Sequence, residues 1–239
     1  FPAGDPKVEL MASLGAFAAG YLTRPLGGIM IGYMADRYGR RQALFISMVL
    51  MMVPTFAIGC LPTYQSIGFI STALLFVLRL VQGLAVGGEY VTALVFSMEH
   101  APPAKKQFSG AIMSAFIAVG TFTGSGIVAI ARSCLSEAQL VEYGWRVCFW
   151  FGLVVGVVGV LVRRHVQDTE EFAAIAQAGE TVSNPVMSVI HDQSADLLLI
   201  LGILSIQGAG WYQCFVWMEY MYDDVYVQEK IRGGLQLNA

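Results

Sequence analysis

Six apolar runs, 10–35, 43–61, 67–98, 108–131, 145–162 and 197–222, set the terms on which this chain of 239 residues can fold. About twenty residues at a helical rise of 1.5 Å cross a bilayer core of about 30 Å, so each run reads as a transmembrane helix. The expected fold is therefore an all-α membrane protein with six transmembrane helices. Composition agrees: 56% of the residues are hydrophobic and 13% charged, against roughly 25% charged in soluble domains. The third run has length to spare, which an interfacial turn at its start or a strong tilt absorbs. A net charge of -3 without blocks of like charge argues against a nucleic-acid partner. The chain opens on Phe1 and shows no basic stretch followed by a short apolar core and a cleavage site, so no signal peptide is read. A fragment lacking its true start is expected.

Orientation follows from Lys and Arg, which enrich short cytoplasmic loops. One set of breaks holds Arg37, Arg40, Arg41, Lys105, Lys106, Arg163 and Arg164; the alternating set holds Lys7, Arg132 and Arg146. The first set is placed inside. The tail YDDVYVQEKIRGGLQLNA then falls outside despite Lys230 and Arg232, in the company of Asp223, Asp224 and Glu229. The longest polar break begins at Arg163 and contains HVQDTEEFAAIAQAGE, an amphipathic cytoplasmic segment dividing five helices from one. Small residues recur four apart at Ala16 and Gly20, Gly28 and Gly32, Gly83 and Gly87, and Gly120 and Gly124, a spacing that lets helices approach closely. The four cysteines form no CxxC pair. Cys60, Cys134 and Cys148 near the outer face leave a disulfide open, and Cys214 reads as a small apolar residue. His100, His165 and His191 all fall in cytoplasmic breaks, and neither a metal nor any other cofactor is implied.

Charges within the apolar runs carry the functional signal. An Arg, Lys or Asp at a helix centre costs about 2.5 to 3.5 kcal/mol on insertion scales, so such residues pair or face water. Arg24 lies twelve residues before Asp36, Arg79 lies near the middle of the third run, and Glu89 follows ten residues later, about 15 Å nearer the cytoplasm. Arg79, Gln82 and Glu89 share one helical face by their spacing of three and seven. Arg24 and Glu89 come out at similar depths, where they either pair with one another or leave Arg24 for a substrate carboxylate. A register-fixing ion pair and a snorkelling Arg79 are the structural alternatives. A cavity-facing arginine suits a carboxylate, and a membrane-embedded glutamate suits proton transfer.

GYMADRYGRR, from Gly32 to Arg41, resembles the signature G-x-x-x-D-R-x-G-R-[RK] between the second and third helices of the major facilitator superfamily. RLVQGLAVGGE, from Arg79 to Glu89, resembles its fourth-helix R-x-x-Q-G pattern, extended by GGE as in the metabolite:proton symporter branch. RPLGG at Arg24, Glu99 with Pro102 and Lys106, and YGWR ending at Arg146 resemble three further blocks of that branch in the same order. The blocks span about 145 residues. Lys106 and Gln107 replace the usual arginine and glycine, Cys148 replaces a proline, and Asp168 stands for the acidic residue expected past the sixth helix.

The resemblance implies that the six helices are the second to seventh of twelve, with the first and the eighth onward absent. It divides the chain into an N-terminal bundle lacking its first helix (1–162), a cytoplasmic linker (163–196), the first helix of the C-terminal bundle (197–222) and a tail (223–239). It further implies a multi-pass plasma-membrane transporter that imports a small metabolite, such as an organic acid or osmoprotectant, with protons by alternating access. On the same ground the 239 residues alone are expected not to transport. Gly32, Asp36, Arg37, Gly39, Arg40, Arg41, Glu99, Arg163 and Arg164 become a cytoplasmic gate. In it Asp36, Arg40 and Glu99 form a charge latch with Arg163 or Arg164, while Gly32 and Gly39 allow close packing and a tight turn. Arg24, Arg79, Gln82, Glu89, Trp211 and Tyr212 become candidates for substrate binding or proton coupling, with Gln207, Gln213 and Glu219 also on the last helix. Trp217, Tyr220 and Tyr222 read as an interfacial belt. No nucleophile with its base and no phosphate loop appears, so an enzyme and an ATP-driven pump are both disfavoured. The alternatives are a facilitated-diffusion carrier and a nontransporting, receptor-like relative of the same fold.

Overall fold

A computed structural model of the protein describes residues 6–168, 172, 174, 185–214 and 218. Glu219, the aromatic belt of Trp217, Tyr220 and Tyr222, and the tail 223–239 lie outside the described residues, as do 169–171, 173 and 175–184 of the linker. The chain divides into two compact units between Ser183 and Asn184. The first holds α1 (Pro6–Tyr38), α2 (Arg40–Cys60), α3 (Tyr64–Ile67), α4 (Phe69–Glu99), α5 (Lys106–Cys134), α6 (Glu137–Gln139) and α7 (Trp145–His165). The second holds α8 (Pro185–Asp192) and α9 (Ser194–Tyr212).

Among the described residues five stretches are long and apolar enough to cross a membrane: Arg40–Cys60, Phe69–Glu99, Pro103–Cys134, Glu137–His165 and Ser194–Tyr212. Six were expected. The remaining helix, α1, has the length at 33 residues, but Thr23, Arg24 and Pro25 interrupt its apolar character and it is not among the five. That polar stretch lies against α4, where Thr23 Oγ1 donates to the Leu80 carbonyl at 2.9 Å. The length of the third run resolves into an interfacial turn: α3 ends at Gly68, whose φ of 61° breaks the helix before α4 begins.

The segment from Asp36 to Arg41 was expected as a loop, and it is almost entirely helix. α1 runs on to Tyr38 and α2 starts at Arg40, leaving Gly39 alone between them at φ 102°. A β-carbon there would collide with the carboxylate of Asp168 in a backbone conformation that other residues rarely adopt. The Gly39 carbonyl meanwhile accepts the first bond of α2, from the Ala43 N–H at 3.3 Å.

Small residues decide how the first unit packs. α1 packs most extensively on α4, α2 lies against both, α7 covers the far side of α2, and α5 rests lightly on α4. Gly83 and Gly87 of α4 meet the backbone carbonyls of Gly20 and Arg24, and Gly27 of α1 meets that of Leu84. Only glycine lets two helices come together this closely. The other two expected pairs divide: Gly28 touches Gly87, whereas Gly32, Gly120 and Gly124 have nothing within 4 Å of a β-carbon. Gly32 is therefore not a close-packing position; in that turn of α1 it is the neighbouring Ile31 that meets α4, packed against Gly88. A second glycine face, Gly152, Gly156 and Gly159 of α7, seats Thr55, Met52 and Met48 of α2. Outward, Leu22, Phe116 and Phe122 are largely exposed and α5 has no buried residue, as surfaces that face lipid require. All four cysteines are free thiols.

Candidate functional site

Phe17, Tyr21 and Arg24 follow one another at spacings of four and three, so they share a face of α1. Side chains on a helix lean toward its N-terminus, and the Arg24 guanidinium accordingly lies over the Tyr21 ring at 3.8 Å. Phe17 meets Tyr21 edge to face at 5.3 Å. On α4, Arg79 donates to Gln82 Oε1 at 3.2 Å, and Gln82 Nε2 donates to Thr55 Oγ1 of α2 at 2.7 Å. Thr55 Oγ1 donates in turn to the Met51 carbonyl at 2.6 Å. This relay fixes the glutamine amide and holds Arg79 between the rings of Phe17 and Phe149, 5.9 and 6.0 Å away.

All of these residues but Phe149 line a pocket of about 210 Å³. Two prolines adjoin it, Pro25 in α1 and Pro54 in α2, each lacking the N–H that would bond the carbonyl four residues back. Arg24 Nε is buried without a hydrogen bond, and no acidic side chain lines the pocket among the described residues. Two cations with nothing anionic between them make a site complementary to a carboxylate.

Glu89 belongs elsewhere. It pairs with Arg163 of α7 at 2.9 Å rather than with Arg24. The depth read from sequence is sound, because Gly87 sits against the Arg24 backbone; the direction is not. Two residues beyond Gly87 is about 200° of helical rotation, so when Gly87 faces α1, Glu89 faces α7. Arg163 also donates to the Leu44 carbonyl at 2.7 Å, joining α2, α4 and α7. The second oxygen of Glu89 is buried without a partner.

At the end of the bundle reached by Asp36, Arg40 spans two carboxylates, Asp36 at 2.5 Å and Glu99 at 3.4 Å. Glu99 keeps 13% of its side chain exposed and Asp36 49%, so the bond across to α4 is the desolvated one. Arg163 does not join this cluster, being held by Glu89. Arg164 meets it only through its backbone, accepting from the Arg41 guanidinium at 2.7 Å, while Asp168 accepts the Arg41 backbone N–H at 3.0 Å. Arg37 turns outward to the Tyr33 hydroxyl at 2.9 Å. Because an exposed ion pair contributes about 0 to 1 kcal/mol, Asp36→Asn is expected to leave the amount of folded protein near wild type while slowing turnover. Uptake rates normalised to surface expression measure this, and unchanged access of engineered cysteines from both sides would refute the latch. At the opposite end, Arg146 donates to the carbonyls of Gly59 and Leu61 at 3.0 and 2.7 Å, closing the last turn of α2.

The family model of the Major Facilitator Superfamily matches residues 7–232. The chain belongs to that superfamily. This facilitator chain is 37% identical over 172 residues to the proline/betaine transporter of Escherichia coli (strain K12), covering 72% of its own length and 34% of the relative's. It is 30% identical over 242 residues to the alpha-ketoglutarate permease of the same strain, covering 100% and 55%. It is also 35% identical over 172 residues to the shikimate transporter of that strain, covering 72% and 39%. The chain spans between 34% and 55% of the length of these relatives. Among solved structures, the xylose transporter XylE from E. coli in a partially occluded inward-open conformation matches with a TM-score of 0.61 at 16% identity, covering 71% of this chain and 42% of that one. Its inward-open conformation matches at 0.60 and 19%, covering 85% and 47%. At those identities the likeness concerns the fold alone. The facilitator chain is an integral, multi-pass membrane protein.

Of the facilitator's expected site residues, Arg24, Arg79 and Gln82 surround one pocket, and Glu89 lies outside it. Trp211 and Tyr212 belong to the second unit, where their rings meet edge to face at 5.4 Å. Thr55, Tyr21 and Phe17 were not expected in the site. The spacing of Phe17, Tyr21 and Arg24 along α1 carried a readable signal; Thr55, one apolar-run hydroxyl among several, carried none.

Proposed function

We propose that the whole protein is a secondary active transporter that carries a small metabolite, an organic acid or an osmoprotectant, together with protons by alternating access. The observation that supports this reading best is the pocket of Arg24, Arg79, Gln82 and Thr55, a polar site among apolar helices. Such intramembrane charges mark substrate pathways. The names of the relatives, a proline/betaine transporter, an alpha-ketoglutarate permease and a shikimate transporter, support the same classes of cargo. No enzymatic step belongs to this reading, and the plasma membrane is the proposed location.

Proton coupling is assigned to Glu89. Its carboxylate has one oxygen on Arg163 and one buried without a partner, so protonation weakens a bond that ties α4 to α7 and α2. In proteoliposomes carrying the full-length protein, uptake is expected to rise with an inward proton gradient. Glu89→Gln is expected to remove that response at normal surface expression. Wild-type uptake indifferent to the gradient would replace symport with facilitated diffusion, and absence of uptake across organic acids and osmoprotectants would favour the nontransporting alternative.

A further inference from the structure

Two pockets meet at the end of the bundle that carries the basic residues, and their chemistry differs. One, of about 570 Å³, lies among α2, α4, α5 and α7 and is walled mainly by apolar side chains, among them Leu44, Phe96, Met113 and Val162. The other, of about 380 Å³, gathers Arg41, Arg163 and Arg164 with Tyr38, Gln42, Phe45 and Asp168. Arg41 and Arg163 line both. An apolar trough thus opens beside a cluster of guanidinium groups, and neither pocket shares a residue with the site of Arg24 and Arg79.

We propose that these joined pockets hold an anionic phospholipid of the cytoplasmic leaflet, with its phosphate on Arg41 and Arg164 and an acyl chain in the apolar trough. Charge selects the headgroup. Glu89 already neutralises Arg163, which among the described residues of the cluster leaves Arg41 and Arg164 against Asp168, a surplus of one positive charge that a phosphodiester balances. Each guanidinium has five donors; Arg41 spends one on the Arg164 carbonyl, and Arg164 lies over the Phe45 ring at 5.8 Å and lines the pocket. The trough selects the tail: among the described residues no carboxylate lines it, and its polar members are bonded within the protein, as Ser97 is to Ser109 at 2.7 Å and His100 to the Phe96 carbonyl at 2.9 Å. Basic pockets between transmembrane helices on the cytoplasmic side suit anionic headgroups for this reason. A soluble phosphate compound would use the arginines and leave the trough unexplained.

The test is lipid binding, which does not depend on transport. The purified full-length protein is mixed with dioleoylphosphatidylglycerol or dioleoylphosphatidylcholine, and bound lipid is counted by native mass spectrometry. Retention of phosphatidylglycerol is expected to exceed that of phosphatidylcholine by about five- to tenfold, as one net basic charge near an anionic headgroup implies. Arg164→Gln is expected to erase most of that preference. Met113→Trp, which fills the trough, is expected to reduce retention of both lipids; Val162→Phe fills it from α7 if the first variant elutes aggregated. Inorganic phosphate at millimolar concentration is expected not to compete. Equal retention of the two lipids, or retention unmoved by Arg164→Gln and by the filled trough, overturns the proposal. Displacement by inorganic phosphate alone also overturns it and makes the cluster a soluble-anion site.

Discussion

Gly83→Val is expected to remove most folded protein from the membrane. The new β-carbon would meet the Gly20 carbonyl and the Thr23 hydroxyl, neither of which can rotate away, since one is backbone and the other bonds the Leu80 carbonyl. Relief requires moving α1 off α4 along their whole contact. Overpacking costs about 1–3 kcal/mol and occasionally more; a clash with rigid backbone belongs at the upper end, and about 3 kcal/mol is more than a hundredfold in the folded-to-unfolded ratio. Gly120→Ala and Gly124→Ala supply the contrast, because nothing lies within 4 Å of either position. Glycine-to-alanine exchange inside a helix favours the helix by up to about 1 kcal/mol, so both should express at least as well as wild type. The measurement is monodisperse yield with a thermal unfolding midpoint for each variant. A Gly83→Val protein that elutes and melts like wild type would show that α1 and α4 are not in this contact.

The second large effect is expected at Arg79. Its replacement by glutamine removes one of two cations from the pocket and leaves Gln82 Oε1 without its donor. A hydrogen bond to a charged group is worth about 1.5–3 kcal/mol, so uptake efficiency of a carboxylate substrate should fall by roughly 10- to 150-fold. Arg79→Lys keeps the charge but not the planar fork, and an intermediate loss is expected. Thr55→Val, which deletes only the end of the relay, should cost about tenfold or less. Uptake kinetics normalised to surface protein decide this. Arg79→Gln with wild-type uptake of every carboxylate offered would remove the pocket from the transport route.

The difference between what could be read along the chain and what could not is visible at these residues. Arg79 and Gln82 are neighbours on one helix, and a spacing of three announces their bond before any packing is known. The depth of Glu89 relative to Arg24 was equally legible, because helical rise is constant. Its partner was not. Which way Glu89 points depends on which face of α4 receives α1, and that is settled by Gly83 and Gly87 against two carbonyls, a contact between residues some sixty positions apart that leaves no periodic trace. Thr55 reaches Gln82 through the same kind of long-range meeting. The glycines show the limit most simply: Gly83 with Gly87 and Gly120 with Gly124 have identical spacing, and only the first pair touches another helix. Spacing states what a helix is able to do, and the neighbour decides whether it does.

The single residue between α1 and α2 bears on how a passage beside Arg24 could open. Two peptide steps across Gly39 reach no more than about 7 Å, so the far ends of α1 and α2 are tethered almost without slack, and α4 is locked to α1 by carbonyls resting on glycines. The three helices behave as a splinted block. The pocket is lined by these three helices, so it travels with the block, and motion that opens or covers it belongs to other elements moving against that block.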